Sequence, residues 1–170
     1  MKKVVTFCIA LLLSACGTEQ VPITQAPKDV IRTSGFVTKG LAGPQDIAIR
    51  AYQKTGEKNK IAEVKGAKCK IKGRGYYATV TTPSVVRIPL YGKASPSFSV
   101  YCQTTTSGGV ASGSVFNVTL ANRQHSVSNA GANGGLIGAL LLGAIASGMK
   151  EKEGDVWAYP ALVSAHLAPK

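Results

Sequence analysis

Lys68-Cys69-Lys70-Ile71-Lys72-Gly73-Arg74-Gly75-Tyr76-Tyr77-Ala78-Thr79-Val80-Thr81 decides the fold. Cys69 and Ile71 alternate with Lys68, Lys70 and Lys72, a period of two, and a strand sends successive side chains to opposite faces. The thiol and the isoleucine therefore face inward and the three ammonium groups face water. Runs of the same character follow at Val85 to Leu90, Phe98 to Thr104 and Val115 to Leu120, each bounded by Gly, Pro or Ser. Upstream, Ile47, Ile49 and Ala51 alternate with Ala48, Arg50 and Tyr52, and the polar turn from Thr55 to Lys60 separates them from Ile61 to Val64. A helix over 46–64 competes with this reading, because Ala, Gln, Glu and Lys are good helix formers. Gly56 and Asn59 weigh against one long helix. Downstream, Val156 to Pro160 and Leu162 to Leu167 read as a last strand pairing back into the sheet, with Pro160 at an edge or bulge. The expected fold is mainly β: a small antiparallel sandwich or barrel with one Gly-rich apolar helix near the C-terminus.

The chain opens with Lys2 and Lys3, an apolar run from Val4 to Leu13, and Leu13-Ser14-Ala15-Cys16 followed by Gly17. A basic start, a short apolar segment and small residues before a cleavage point make a secretory signal. The run is short for a bilayer span, which wants about 20 residues. With cysteine after the small pair, the segment resembles the bacterial lipobox. That resemblance implies acylation of the Cys16 thiol, cleavage before it, and a mature protein held on a membrane by two or more acyl chains. Gly17 is not the aspartate that favours inner-membrane retention in that family, so the resemblance implies the outer membrane, facing the periplasm. The expected organisation is a signal peptide over 1–15, a lipid-anchored flexible tether over 16–45 marked by Pro22, Pro27 and Pro44, and a β-rich periplasmic domain over 46–170.

Lys2 and Lys3 leave with the signal, so 18 basic residues face 8 acids and the net charge falls from +12 to +10. Much of the excess lies between Arg50 and Arg74, where nine basic residues, Lys68, Lys70, Lys72 and Arg74 among them, meet only Glu57 and Glu63. Such a patch attracts polyanions through a screened, sequence-independent field. Lipid phosphates, acidic cell-wall polymers and nucleic acid are the three candidates, and nucleic acid is the least expected in the periplasm. A solvated strand face that only keeps the protein soluble is the competing reading. Of four cysteines, Cys8 departs with the signal and Cys16 takes lipid. Cys69 and Cys102 remain, and two leftover thiols in an oxidising compartment most simply form one disulfide.

Gly75 to Pro89, followed by Ser99 to Cys102, resembles the PEGA-type β-domains of bacterial surface proteins, with a Thr-Pro entering a strand, a proline turn and a returning strand. The Pro-Glu-Gly signature itself is missing, and Pro89-Leu90-Tyr91-Gly92 stands where that family has a Pro-Gly turn. The resemblance implies an adhesive or scaffolding module without catalytic residues. Residues 131–149 carry no charge, and Gly131, Gly135, Ala139, Gly143 and Ser147 recur at a four-residue step. In a helix these share one face, which admits another backbone at close range. The segment resembles the Gly-rich helices of glycine-zipper lipoproteins, and it would insert into a membrane or pack on this protein's own sheet.

Catalysis needs a nucleophile, a base and an orienting acid within reach. The two histidines, His125 and His166, each neighbour a serine only in sequence, and no carboxylate pair or metal-ligand spacing stands out. The expectation is no catalytic residue, no metal and no cofactor. A lipid-anchored envelope protein with a structural or assembly role is expected, associating with membrane, with a second copy or with an envelope complex. The alternative is a binding module whose basic strands over 50–74 hold an anionic polymer or lipid headgroups.

Overall fold

The computed structural model describes residues 20–56, 60–122 and 150–170. The lipobox with Cys16, and the segment carrying Gly131, Gly135, Ala139, Gly143 and Ser147, lie outside the described residues.

The described chain is mainly β. Its strands are β1 (Lys28–Asp29), β2 (Ile31–Arg32), β3 (Gly43–Thr55), β4 (Lys60–Glu63), β5 (Lys68–Gly73), β6 (Tyr76–Thr81), β7 (Ser84–Leu90), β8 (Phe98–Gln103), β9 (Ser107–Gly113), β10 (Phe116–Asn117), β11 (Trp157–Ala158) and β12 (Leu162–Pro169). The main sheet runs β1-β7-β3-β12-β9-β8-β5-β6-β2, with β4 on β3, while β10 and β11 form a separate ribbon. The two ends of that order, β1 and β2, are separated in sequence by Val30 alone. One stretch of chain thus pairs with β7 on one side and with β6 on the other, which makes the sheet a nearly closed barrel.

Alternation fills the interior. Ile47, Ile49 and Ala51 of β3, Cys69 and Ile71 of β5, Tyr76, Ala78 and Val80 of β6, Val86 and Ile88 of β7, Phe98, Val100 and Cys102 of β8, and Val163, Ala165 and Leu167 of β12 all point in and are buried. Near-closure pairs most of the strand edges that would otherwise template association with other chains, while β4 pairs on one side only, with β3. The T-shaped pair of Phe98 and Tyr159, with centroids 5.2 Å apart, packs within this core, and the Tyr159 hydroxyl donates to the Pro96 carbonyl at 2.7 Å.

Three expectations need correction. The sheet is not purely antiparallel: β12 pairs parallel with β3 from Leu162↔Ala48 to Leu167↔Gln53, and β1 pairs parallel with β7. Parallel partners need long connections, and the chain between β3 and β12 supplies one. The run Val115 to Leu120 is strand only at Phe116–Asn117, and 118–122 is helical. Asn117 causes the switch, because its Oδ1 accepts from Leu120 N at 2.8 Å and caps the first turn. Finally, the chain is not a free tether up to residue 45. Val21 N donates to Glu63 Oε2 at 2.8 Å, the Val21 carbonyl accepts from Arg50 Nη1 at 2.9 Å, and residues 28–32 are part of the barrel wall.

Strand β9 carries no propensity signal, since its sequence is Ser-Gly-Gly-Val-Ala-Ser-Gly. Its glycines answer to close approach instead. A Cβ on Gly113 would lie 2.3 Å from the Phe98 ring, and one on Gly109 would lie 2.2 Å from the His166 carbonyl oxygen. The barrel wall can be this thin only where side chains are absent.

The excursion between β10 and β11 leaves and returns through a pinned stem. Asn117 Nδ2 donates to Asp155 Oδ2 at 2.7 Å, Val118 N to the Val156 carbonyl at 2.8 Å, and Val156 N to Thr119 Oγ1 at 2.9 Å. Pro160 falls between β11 and β12 rather than inside one strand.

Candidate functional site: the outer face of β5

The β5 sequence builds two faces at once. Inside, Cys69 and Cys102 are register partners across β5 and β8 and are joined by a disulfide, as expected for the leftover pair. Outside, Lys68, Lys70 and Lys72 are all exposed, about 7 Å apart in a row. Arg74, also exposed, extends the row into the turn before β6. That turn depends on Gly75, which has φ of +77° and lies against the backbone of Gly35, where any Cβ would clash at 2.3 Å.

The pairing register sets the neighbours of each lysine. Lys68 stands between Thr81 and Gln103, Lys70 between Thr79 and Tyr101, and Lys72 between Tyr77 and Ser99. Beyond Tyr101, on β9, comes Val110, which is 64% exposed. Beyond Tyr77, on β2, comes Ile31. The five adjacent strands β2, β6, β5, β8 and β9 contain no acidic residue. Among the described residues no carboxylate lies within ion-pair distance of Lys68, Lys70, Lys72 or Arg74. A surface with cations in a line, two exposed tyrosines and no compensating acid has a positive field that nearby charges do not cancel.

The wider basic stretch of 50–74 does not act as one face. Arg50 is buried, and its guanidinium pairs with Glu63 at 2.6 Å, with the Glu63 side chain 2% exposed. The hairpin register of β3 and β4, in which Tyr52 faces Glu63, brings these charges together. Its work is structural, because it holds Val21 against the barrel. Among the described residues the remaining ion pairs also lie away from β5: Arg87 with Asp29 and Asp46 on the β1–β7–β3 side, and Lys93 with Glu151 near the stem.

Two clefts adjoin the row, and sequence reasoning missed both because each depends on the N-terminal segment folding back. One, of about 580 Å³, is lined by Gln25, Lys28, Lys68, Thr79 and Thr81. Lys28 Nζ donates to the Thr79 carbonyl at 2.7 Å. The other, of about 230 Å³, is lined by Val37, Lys39, Arg74 and Tyr91, with the Tyr91 hydroxyl donating to the Val37 carbonyl at 2.6 Å.

Other chemistry is sparse. His166 packs its ring beside Tyr52, with centroids 6.0 Å apart, and His125 lies outside the described residues. Among the described residues no three His, Cys, Asp or Glu side chains gather as a metal site, and no helix is long and apolar enough to cross a membrane. Burial raises the pKa of Tyr76 and Tyr159 above the ordinary value of 10.0, and in Tyr76 the neighbouring Tyr159 and Tyr91 add to the effect. A tyrosine pushed in this direction stays protonated and is not an activated nucleophile or base.

No family model matches the chain, and neither a curated protein nor a solved structure matches it.

Proposed function

We propose that this chain is a lipid-anchored protein of the bacterial cell envelope whose barrel presents the outer face of β5 to an anionic envelope polymer. The observation that carries the binding role is the exposed row Lys68, Lys70, Lys72 and Arg74 on a five-strand wall without an acid. A merely solubilising surface would mix both signs of charge. Here the acids of the described residues lie on other parts of the fold.

The anchoring half of the reading rests on the lipobox at 13–16. The fold adds a geometric consequence. Val21 is fastened to the buried Arg50–Glu63 pair, so only the five residue steps from Cys16 separate acyl chains from barrel. At about 3.5 Å per residue the barrel would stand within roughly 18 Å of the bilayer. Such a protein would hold polymer close to the membrane.

Two measurements test the proposal. Mass spectrometry of the mature protein from membrane fractions should find acyl chains on an amino-terminal Cys16, and an uncut or unmodified chain overturns the placement. Binding to an anionic polymer should weaken steeply as salt rises, because the contacts are ionic and exposed. Binding that salt leaves unchanged, or no binding at all, overturns the role of the β5 face.

The assembly role keeps one specific observation in its favour. The segment 131–149 is joined to the barrel through the pinned β10–β11 stem, where Phe116 and Val156 are 41% and 59% exposed. Oligomers that persist in high salt and are lost in Gly135→Leu or Gly143→Leu are its signature.

A further inference from the structure

The row on β5 has a direction, a length and two ends. From Lys68 to Arg74 it covers six residue steps, about 20 Å of extended strand. At the Lys68 end the cleft of Gln25, Lys28, Thr79 and Thr81 adds a second cation, and at the Arg74 end the cleft of Lys39 and Tyr91 adds another. No acidic residue lines either cleft. Between the ends, Tyr77 and Tyr101 flank Lys72 and Lys70 on opposite sides, 36% and 47% exposed.

Resting on the polyanion reading above, we infer that the occupant is an acidic polysaccharide laid along β5. Its carboxylates meet Lys68, Lys70 and Lys72, its sugar ring faces lie on Tyr77 and Tyr101, and a sugar residue sits in each end cleft.

Two features select this class. The row is one strand wide and closed at both ends by concave clefts, which suits a linear chain better than a planar layer of headgroups. The cleft linings combine ammonium, amide and hydroxyl groups, which match the donors and acceptors of sugar hydroxyls. Lys28 gives one of its three protons to the Thr79 carbonyl and keeps two for a ligand. Tyr91 spends its proton on Val37 and keeps acceptor capacity.

The test uses the full mature lipoprotein in neutral detergent micelles with four probes: polygalacturonate, galacturonate oligomers of increasing length, a mixed-sequence single-stranded DNA, and glycerophosphoglycerol, the soluble headgroup of phosphatidylglycerol, which the acyl anchor does not bind. Polygalacturonate should bind tightest, and oligomer affinity should rise with length and level off once the chain spans about 20 Å. Tyr101→Ala, at an exposed position, should weaken polygalacturonate binding about fivefold through lost packing of the sugar ring's C–H face on the aromatic ring. The same variant should elute unchanged from a cation-exchange resin, which reads charge alone. Lys28→Ala and Lys39→Ala should each weaken the longest oligomers about fivefold, the scale of one exposed ionic contact. Tighter binding to the DNA or to the soluble headgroup overturns the polysaccharide assignment and leaves the polyanion reading standing. Failure to bind any of the four overturns both.

Discussion

Cys69 and Cys102 stand opposite each other inside the barrel, and one residue away Lys68 and Gln103 stand opposite each other outside it. The same register that aligns the sulfurs therefore fixes the charged row against its polar neighbours. A one-residue slip of β5 would exchange the two faces, turning three ammonium groups inward. The disulfide forbids that slip covalently.

Removing the bridge should cost stability. The cysteines are 33 residues apart, and in the chain-entropy model closing a loop of that size contributes about 3 to 4 kcal/mol. Cys69→Ala/Cys102→Ala should lower the unfolding free energy by that amount in a denaturant titration. Because both cysteines are buried, reductant added to native protein should act slowly. A variant as stable as the parent would contradict the staple's role.

The Arg50–Glu63 pair should be costly to break from one side. Glu63→Ala leaves a buried guanidinium without its carboxylate and also removes the acceptor of Val21 N. The expected loss is about 3 to 5 kcal/mol, the scale for an uncompensated buried charge. Limited proteolysis should then cut earlier within 20–45 than in the parent. Unchanged protection of that segment would contradict the clamp.

Tyr76 gives a pH dependence. Its hydroxyl is buried beside the Tyr159 hydroxyl without a hydrogen bond of normal geometry, and burial, with the neighbouring Tyr159 and Tyr91, raises its pKa above 10.0. The folded state thus holds the phenol proton more tightly than the unfolded state does. The stability from this group is complete below pH 10 and is lost as pH climbs above 10 toward the folded value. Tyr76→Phe should make the alkaline decline shallower. At pH 7 it should leave stability equal or raise it by about 1 kcal/mol, because the hydroxyl removed is buried and makes no hydrogen bond of normal geometry. A large loss at pH 7 would contradict this account.

The strands β5 to β8 were legible because local and tertiary demands agree there: β-branched residues alternate with polar ones, and the buried face is the apolar one. Strand β9 was not, since Gly109 and Gly113 are dictated by the His166 backbone and the Phe98 ring, which lie far off in sequence. Nor were β1 and β2, because two-residue strands in a Pro-containing polar segment are set by the gap they fill between β6 and β7. At the site, the alternation of Lys68, Lys70 and Lys72 was readable from the chain. The removal of Arg50 from the patch was not, because only the β3–β4 register shows that Glu63 and Val21 cover it. The flanking clefts were invisible for the same reason: Lys28 and Lys39 reach β5 only through the fold.

Placement of charge, rather than its amount, is the central claim, and a pair of charge-matched variants measures it. Lys68→Ser/Lys70→Ser/Lys72→Ser removes three charges from the β5 face, and Lys54→Ser/Lys60→Ser/Lys65→Ser removes three from exposed positions elsewhere. The affinity of each mature lipoprotein for polygalacturonate is compared at one ionic strength. The first variant should lose binding by about a hundredfold, near the product of three exposed ionic contacts, and the second should stay within about threefold of the parent. Equal losses in the two variants would mean that only net charge matters and would contradict the account.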